Sequence, residues 1–403
     1  MKKIFASQVE VGMRLSCDIY NDKGVLLWVA GSEIKTEQQA NKLVKDGFRS
    51  DLQEWVPANT GNKVSEPLDV IADTVQVKKI YVYETVLDAL TEIQLPLNYI
   101  FDVFKADAFH KDKRNLTHQI DAVVDVIMDV SEKHPDESLA TINMFVAQGK
   151  YIIIHAIAKS VMAGIICEML DLPEEQKKSC VSAALTANSS IVKLMETLCK
   201  QRGSMSIDQT TEYEGHPFNS LTLLTRAGVR DEEWLDNVLM HHEYFDRSGF
   251  PKGMGPDEIT VTARIVAVAD IYVTMIMPKQ IMQQAIDPPS AFKRLYKQYG
   301  KRLDASIIAD IIKRFGIMPP GTFVKLKDGK IGIVVGGSED KSKPIVTKVG
   351  DDITKFYTEF DLTGQYKIVG ILHPPSKMPK RLFKLWRLYE DSKKQEEGGE
   401  STD

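Results

Sequence analysis

The sequence predicts a mainly α fold, an all-helical core flanked by a small N-terminal β-containing module and a small C-terminal β appendage. Three observations predict it. Between about residues 140 and 316, apolar residues recur at helical spacing with short polar connections. On either side, short β-branched and aromatic runs alternate with Gly, Asn and Asp turns. The chain has 403 residues, 43% hydrophobic and 27% charged, which is ordinary globular material with enough length for more than one domain.

Residues 1–56 form the N-terminal module. Its strand-like runs are Ile4-Phe5, Met13-Arg14-Leu15 and Val25-Leu26-Leu27-Trp28-Val29, the last after the turn Asn21-Asp22-Lys23-Gly24. Residues 57–79 open with a polar stretch broken by Pro, Asn and Gly, and read as a linker. Residues 80–139 read as a helical connector, with Ile120, Val123, Val124, Ile127 and Met128 on one face. The core, 140–316, is expected to contain helices at Tyr151–Leu170, Glu174–Thr186, Pro217–Ala227, Asp231–His242, Val261–Met277 and Asp304–Phe315. In 317–373, Thr322–Leu326 and Ile331–Val335 around Lys327-Asp328-Gly329-Lys330 make a hairpin signal, with further strands at Ile345–Val349 and Tyr366–Leu372. Residues 374–403 form a basic helix and a tail. Leu382, Leu385, Trp386 and Tyr389 fall at helical spacing among basic residues, a pattern that suits packing on the protein itself, an anionic membrane surface or a partner. The last ten residues are polar and expected to be disordered.

Composition narrows the function classes. A net charge of -5 argues against a dedicated nucleic-acid binder. The four cysteines lack CxxC spacing, so they suggest neither a thiolate zinc site nor a disulfide framework, and read as reduced thiols of a cytoplasmic protein. The N-terminus has no apolar stretch of signal-peptide type. The apolar segment Tyr151–Leu170 is interrupted by His155, Lys159 and Glu168, so a buried helix is expected there and no transmembrane segment.

The chemistry concentrates in His241-His242-Glu243-Tyr244-Phe245-Asp246-Arg247-Ser248-Gly249-Phe250-Pro251-Lys252-Gly253. Adjacent histidines at a helix end point about 100° apart, so they can serve two metal ions, or one ion and a substrate phosphate. His155 interrupts an apolar helix, His216 precedes Pro217 at an expected helix start, and Asp270 sits in the apolar run Ile265–Ile271. A buried aspartate there must be paired, hydrogen-bonded or metal-bound. Each residue taken alone has a structural alternative: a satisfied core histidine, a helix cap, or an acid bonded to backbone.

Taken together, these residues resemble the HD-GYP branch of the HD-domain metal phosphohydrolases, bacterial cyclic di-GMP phosphodiesterases, over about residues 140–340. HHEYFDRSGFPKG matches the family pattern HHExxDGxGYPxG. Supporting it in order are Tyr151 with His155, His216-Pro217, ARIVAVADIY around Asp270, and FGIMPPGTFVKLKDGKIGIVV. The N-terminal stretch from Val9 to Gly31 is similar to small regulatory modules that precede such domains. The resemblance implies His155, His216, His241, His242 and Asp270 as metal ligands, Lys279 as a phosphate contact, and Arg247 and Phe250 beside the substrate. It also exposes departures. Ala187, Asn188 and Ile191 stand where the family has its namesake His-Asp pair and a lysine, Arg247 replaces a glycine, Phe250 a tyrosine, and Val273-Thr274-Met275 stands for Asp-Ala-Leu. The family's aspartate bridges metal ions, so its loss points to a degenerate site holding one divalent ion (Fe, Mn or Zn) or none. No residue is assigned a catalytic role, and enzymatic activity stays open. One reading is a cyclic di-GMP binding or scaffolding protein with little or no hydrolysis. The other is a metal-dependent cyclic di-GMP phosphodiesterase working with a reduced ligand set. Protein partners in signalling or motility fit either reading.

Overall fold

The computed structural model describes residues 83–107, 113–144, 149–277, 285–337, 343–349, 356–357, 367–374 and 379–399, together with 2–4, 9, 11–13, 15, 19–21, 26–28 and 32–49. These fall into two compact units, one of residues 1–84 with 91–99 and one of residues 85–90 with 100–403. The expected linker 57–79 and Lys279 lie outside the described residues.

In the first unit, strands β1 (Lys2–Lys3), β2 (Ile19–Tyr20), β3 (Leu26–Trp28) and β4 (Phe48–Arg49) form an antiparallel sheet in the order β1-β4-β2-β3. Helix α1 (Glu37–Asp46) is capped by Thr36, whose hydroxyl accepts from the Gln39 amide. The sequence reading missed this helix. It also placed strands at Ile4-Phe5 and Met13–Leu15, and neither run forms one among the described residues. Ile4, Met13 and Leu15 instead join Ile19, Ile34 and Leu43 in a small core, with Met13 and Leu15 bonded to the backbone of Ile34 and Ser32. A short module buries its apolar residues wherever they fall, so burial here does not follow strand periodicity.

The chain then becomes helical: α2 (Val86–Glu92), α3 (Gln94–Ala106), α4 (Lys113–Lys133), α5 (Pro135–Met144), α6 (Tyr151–Met169), α7 (Glu174–Thr186), α8 (Val192–Leu198), α9 (Ile207–Ala227), α10 (Glu232–Met240), α11 (Val261–Ile276), α12 (Pro288–Arg294) and α13 (Ala305–Phe315). Helix α6 is the centre of the second unit. It packs on α4, α7 and α11, and sixteen of its residues, Ile152 to Cys167, are buried. Among the described residues it is the single helix long and apolar enough to cross a membrane, and 89% of its apolar window is buried within the protein. Enclosure by neighbouring helices explains why it is apolar all round.

Pro217 was expected to open a helix, and this expectation is overturned. Helix α9 starts ten residues earlier, behind a Ser206–Gln209 capping box, and Pro217 lies in its interior. The start signal at Ser206 prevails over the preference of proline for a first turn.

The C-terminal sheet belongs to the same unit: β5 (Phe323–Leu326), β6 (Ile331–Gly337), β7 (Pro344–Val349), β8 (Phe356–Tyr357) and β9 (Ile368–Leu372), antiparallel in the order β8-β7-β6-β5-β9. The β5–β6 hairpin turns where the sequence placed it. Asp328 accepts from the Lys330 amide, and Gly329 takes a left-handed φ of 82°.

Helix α14 (Leu385–Gly399) and the short turn before it close the unit. Leu382, Phe383, Leu385, Trp386 and Tyr389 are buried with Ala140, Met144, Phe323, Ile333, Val335 and Ile345. The apolar face that suited a membrane is therefore covered by the protein's own sheet, which corrects the peripheral membrane contact reading of the basic tail. The helix also runs to Gly399, well into the ten residues expected to be disordered. Its Lys, Gln and Glu residues are good helix formers, and packing of the first turns nucleates them. Arg387 pairs with the buried carboxylate of Glu137 at 3.0 Å, and burial, acting against the Val86 amide and Arg387, raises that carboxyl.

Trp386 ties this helix to β6, being 1% exposed with its indole N–H donating to the Val335 carbonyl at 2.8 Å. Trp386→Ala is expected to cost about 3–5 kcal/mol in chemical denaturation, with loss of helical signal from the last turns. An unchanged midpoint would show that the tail does not hold the sheet.

Candidate metal centre

One helix interior and one helix end bring His216, His241 and His242 together, all buried, with ligand atoms within 4.8 Å of one another. His216 comes from the interior of α9. Pro217 has no N–H, so the Tyr213 carbonyl four residues back loses its usual helical donor. His216 Nδ1 takes that carbonyl instead. His241 and His242 follow directly on α10, and His241 Nδ1 donates to the Val238 carbonyl at 2.7 Å.

These two bonds fix the tautomers. A carbonyl only accepts, so Nδ1 carries the proton in both rings and Nε2 carries a lone pair. The two Nε2 atoms face each other at 3.1 Å. Neither ring has a second proton to share, because burial first, then the neighbouring His242, pushes both His216 and His241 well below the ordinary imidazole range. Two lone pairs at this distance repel unless a cation lies between them. Two nitrogens bound to one zinc-like ion at about 2.0–2.1 Å stand about 3.0–3.4 Å apart. The donor set fits a divalent ion, which His216, His241 and His242 would hold.

The loop after the histidines is held by Glu243, which is 2% exposed. Its carboxylate accepts from the amides of Lys252 at 2.6 Å and Met254 at 2.8 Å, so both oxygens are engaged. The Phe250 amide donates back to the His242 carbonyl at 3.1 Å. A side chain at Gly249 would collide with the backbone of His242, Glu243 and Tyr244, so the loop needs glycine there. The Phe250 ring then lies 4.7 Å from that of His242, and Tyr213 covers His216 and His242 at 5.2 and 5.7 Å.

His155 and Asp270, the other two expected ligands, are not among the three grouped histidines and have protein partners of their own. His155 Nε2 is 3.0 Å from the Thr274 hydroxyl. Asp270 is paired with Lys159 at 3.2 Å, both side chains buried. Burial raises the Asp270 carboxyl, but Lys159 and then His155, His242 and His241 outweigh it and hold the group well below the usual carboxylate range. His155, Asp270, Asn188, Tyr151, Tyr213 and Thr274 line a cleft of about 190 Å³. Arg247 is not in it. Its φ of 60° explains why a glycine suits that position, and its guanidinium, 65% exposed, pairs with Glu258 at 3.1 Å. Of the two residues expected beside the substrate, Phe250 lies against the cluster and Arg247 is turned to Glu258.

Sequence reasoning missed Tyr213, Glu243, Lys159 and Thr274. Lys159 carried a usable signal: a charge stranded one turn after His155 in an apolar helix needs a buried partner, and Asp270 was stranded in the same way.

Residues 137–307 match the HD domain family. The chain is 21% identical over 346 residues to the cyclic di-GMP phosphodiesterase PA4108 of Pseudomonas aeruginosa, covering 83% of this chain and 81% of that protein. It is 27% identical over 153 residues to the cyclic di-GMP phosphodiesterase response regulator RpfG of Xanthomonas campestris pv. campestris, covering 38% of this chain and 40% of that protein. Among solved structures, Bd1817, a HDG"Y"P protein from Bdellovibrio bacteriovorus, is 15% identical with a TM-score of 0.41, covering 77% of this chain and 97% of that one.

Removing the loop clamp tests the geometry. Glu243→Ala strips two backbone amides of a charged acceptor, each such bond being worth roughly 1.5–3 kcal/mol. A stability loss of about 3 kcal/mol or more is expected, with Co²⁺ affinity down roughly 10–100-fold, as for other groups that orient ligands. Affinity equal to wild type would show that the loop does not position the histidines.

Proposed function

We propose that this chain, which belongs to the HD-GYP family of HD-domain proteins, binds cyclic di-GMP at a single divalent metal ion and hydrolyses little or none of it. The observation that carries this reading is the state of the two nearby acids. Asp270 is paired with Lys159, and both oxygens of Glu243 hold loop amides. Among the described residues the cluster keeps three imidazoles and no carboxylate free to take a proton from water. Position 187 is alanine and offers no donor, while Asn188 offers only an amide beside the cleft.

A divalent ion held by His216, His241 and His242 would act as a Lewis acid toward a phosphate oxygen or water. Three neutral ligands leave its charge uncompensated, which favours binding of an anionic phosphodiester. The protein's own groups supply orientation: Nδ1 contacts to the Tyr213 and Val238 carbonyls fix two rings, and Phe250 and Tyr213 wall the cluster. At about 190 Å³ the cleft is smaller than the roughly 300–1,000 Å³ of most small-molecule sites, and suits one phosphate-ribose portion of the dinucleotide. On this reading the chain works in the cytoplasm, its N-terminal unit is regulatory, and its output passes to protein partners in signalling or motility.

A second reading, phosphodiesterase activity with a reduced ligand set, draws on the same cluster, because three histidines with an open position are a water-activating donor set elsewhere.

Metal content per purified chain, calorimetry with cyclic di-GMP and turnover in Mn²⁺ or Fe²⁺ separate the two. The expected result is about one ion per chain, lost in His241→Ala, micromolar nucleotide binding, and a kcat below about 0.01 s⁻¹ against the roughly 1–10³ s⁻¹ of typical enzymes. Ordinary turnover abolished by His241→Ala would establish the enzyme instead.

A further inference from the structure

Helices α6 and α11 meet in two parallel rungs. His155 on α6 reaches Thr274 on α11, and one turn along each helix, Lys159 reaches Asp270. The second rung is unusual in its surroundings. Lys159 is 1% exposed on the most apolar helix of the core, and among the described residues its ammonium makes no hydrogen bond of good geometry, only the ion pair with Asp270. An ammonium carries three donors and is strongly hydrated, so burying it with one off-axis carboxylate is costly unless that position needs a positive charge.

The surroundings show why it would. Asp270 and His155 line one cleft, and the Lys159 charge is felt at both His216 and His241. Carboxylate and imidazole beside a three-histidine cluster make enough donors for two cations, and the carboxylate is already claimed by the ammonium. We propose that Lys159 is a tethered cation that takes the place of a second metal ion at Asp270 and so limits the centre to the one ion at His216, His241 and His242. This rests on the one-ion reading given above. A tethered ammonium neutralises the acid permanently, and unlike a metal it neither dissociates nor offers an open coordination position. Its presence makes the charge of the cleft independent of metal supply, while the ion at the histidines remains exchangeable.

Lys159→Met removes the ammonium and keeps an unbranched apolar side chain of similar length. The full chain would be loaded with Mn²⁺ or Zn²⁺, desalted and assayed for metal per chain, with thermal melting followed in metal and in chelator. Wild type is expected to hold about one ion and Lys159→Met about two. The variant should also melt lower than wild type in chelator and recover most of the difference in metal, because the second ion replaces the lost charge. The double variant Lys159→Met with Asp270→Asn, which removes both charges, should fold and return to one ion. A Lys159→Met protein that keeps one ion, or that metal does not restabilise, overturns the inference while leaving the one-ion centre intact. Two ions in wild type also overturn it. No ion in wild type, by contrast, removes the metal reading on which it rests.

Discussion

The centre depends on a carbonyl that its own helix cannot satisfy. Pro217 lies inside α9 and brings no N–H, so the Tyr213 carbonyl is left to the side chain of His216. That bond sets the His216 ring, commits its Nδ1 proton and aims its lone pair at His241. The same relation recurs at the end of α10, where the Val238 carbonyl receives His241 Nδ1. In both cases a helix carbonyl acts as the outer partner that orients a ligand, the role that carboxylates or carbonyls fill around metal-binding histidines. The facing nitrogens and the need for a cation between them follow from these two contacts.

Charge burial in α6 and α11 is balanced rather than stabilising. At 3.2 Å and an effective dielectric near 20, the attraction between Lys159 and Asp270 is about 5 kcal/mol. Desolvation costs several kcal/mol for each ion, so the pair comes close to breaking even. Its presence in an otherwise apolar interface is therefore better explained by what it fixes than by what it adds to stability. It joins the two helices one turn from the contact between His155 and Thr274.

Much of the fold was legible in the sequence because it rests on local physics. Helix α13 follows its apolar spacing, with Ile307, Ile308, Ile311 and Phe315 buried on one face, and the β5–β6 hairpin follows Asp328-Gly329, whose turn chemistry is decided within four residues. Misreadings arose where distant partners decide. Pro217 was given its statistical place at a helix start, but Ser206 and Gln209 had already started that helix ten residues upstream. The face of Trp386 suited several partners, and the choice lay with a sheet some fifty residues earlier in the chain. In the centre, the sequence yielded the histidines but not their grouping: His155 and Asp270 are the right types in the right helices, and Thr274 and Lys159 claim them first. Such claims depend on helix register, which no local pattern encodes.

Glu243 and Gly249 carry a consequence for how the HHE–GFPKG segment changes over time. Both are held by the backbone of their own loop: the acid by two amides, the glycine by the absence of room for a side chain. Substitution at either would unfold the loop whether or not an ion is bound, so purifying selection acts on them through folding. No such contact protects a ligand that serves chemistry alone. The loop signature can therefore persist whatever stands at positions such as 187 and 188, and a search keyed to that signature reports how the loop folds and not whether the site turns over.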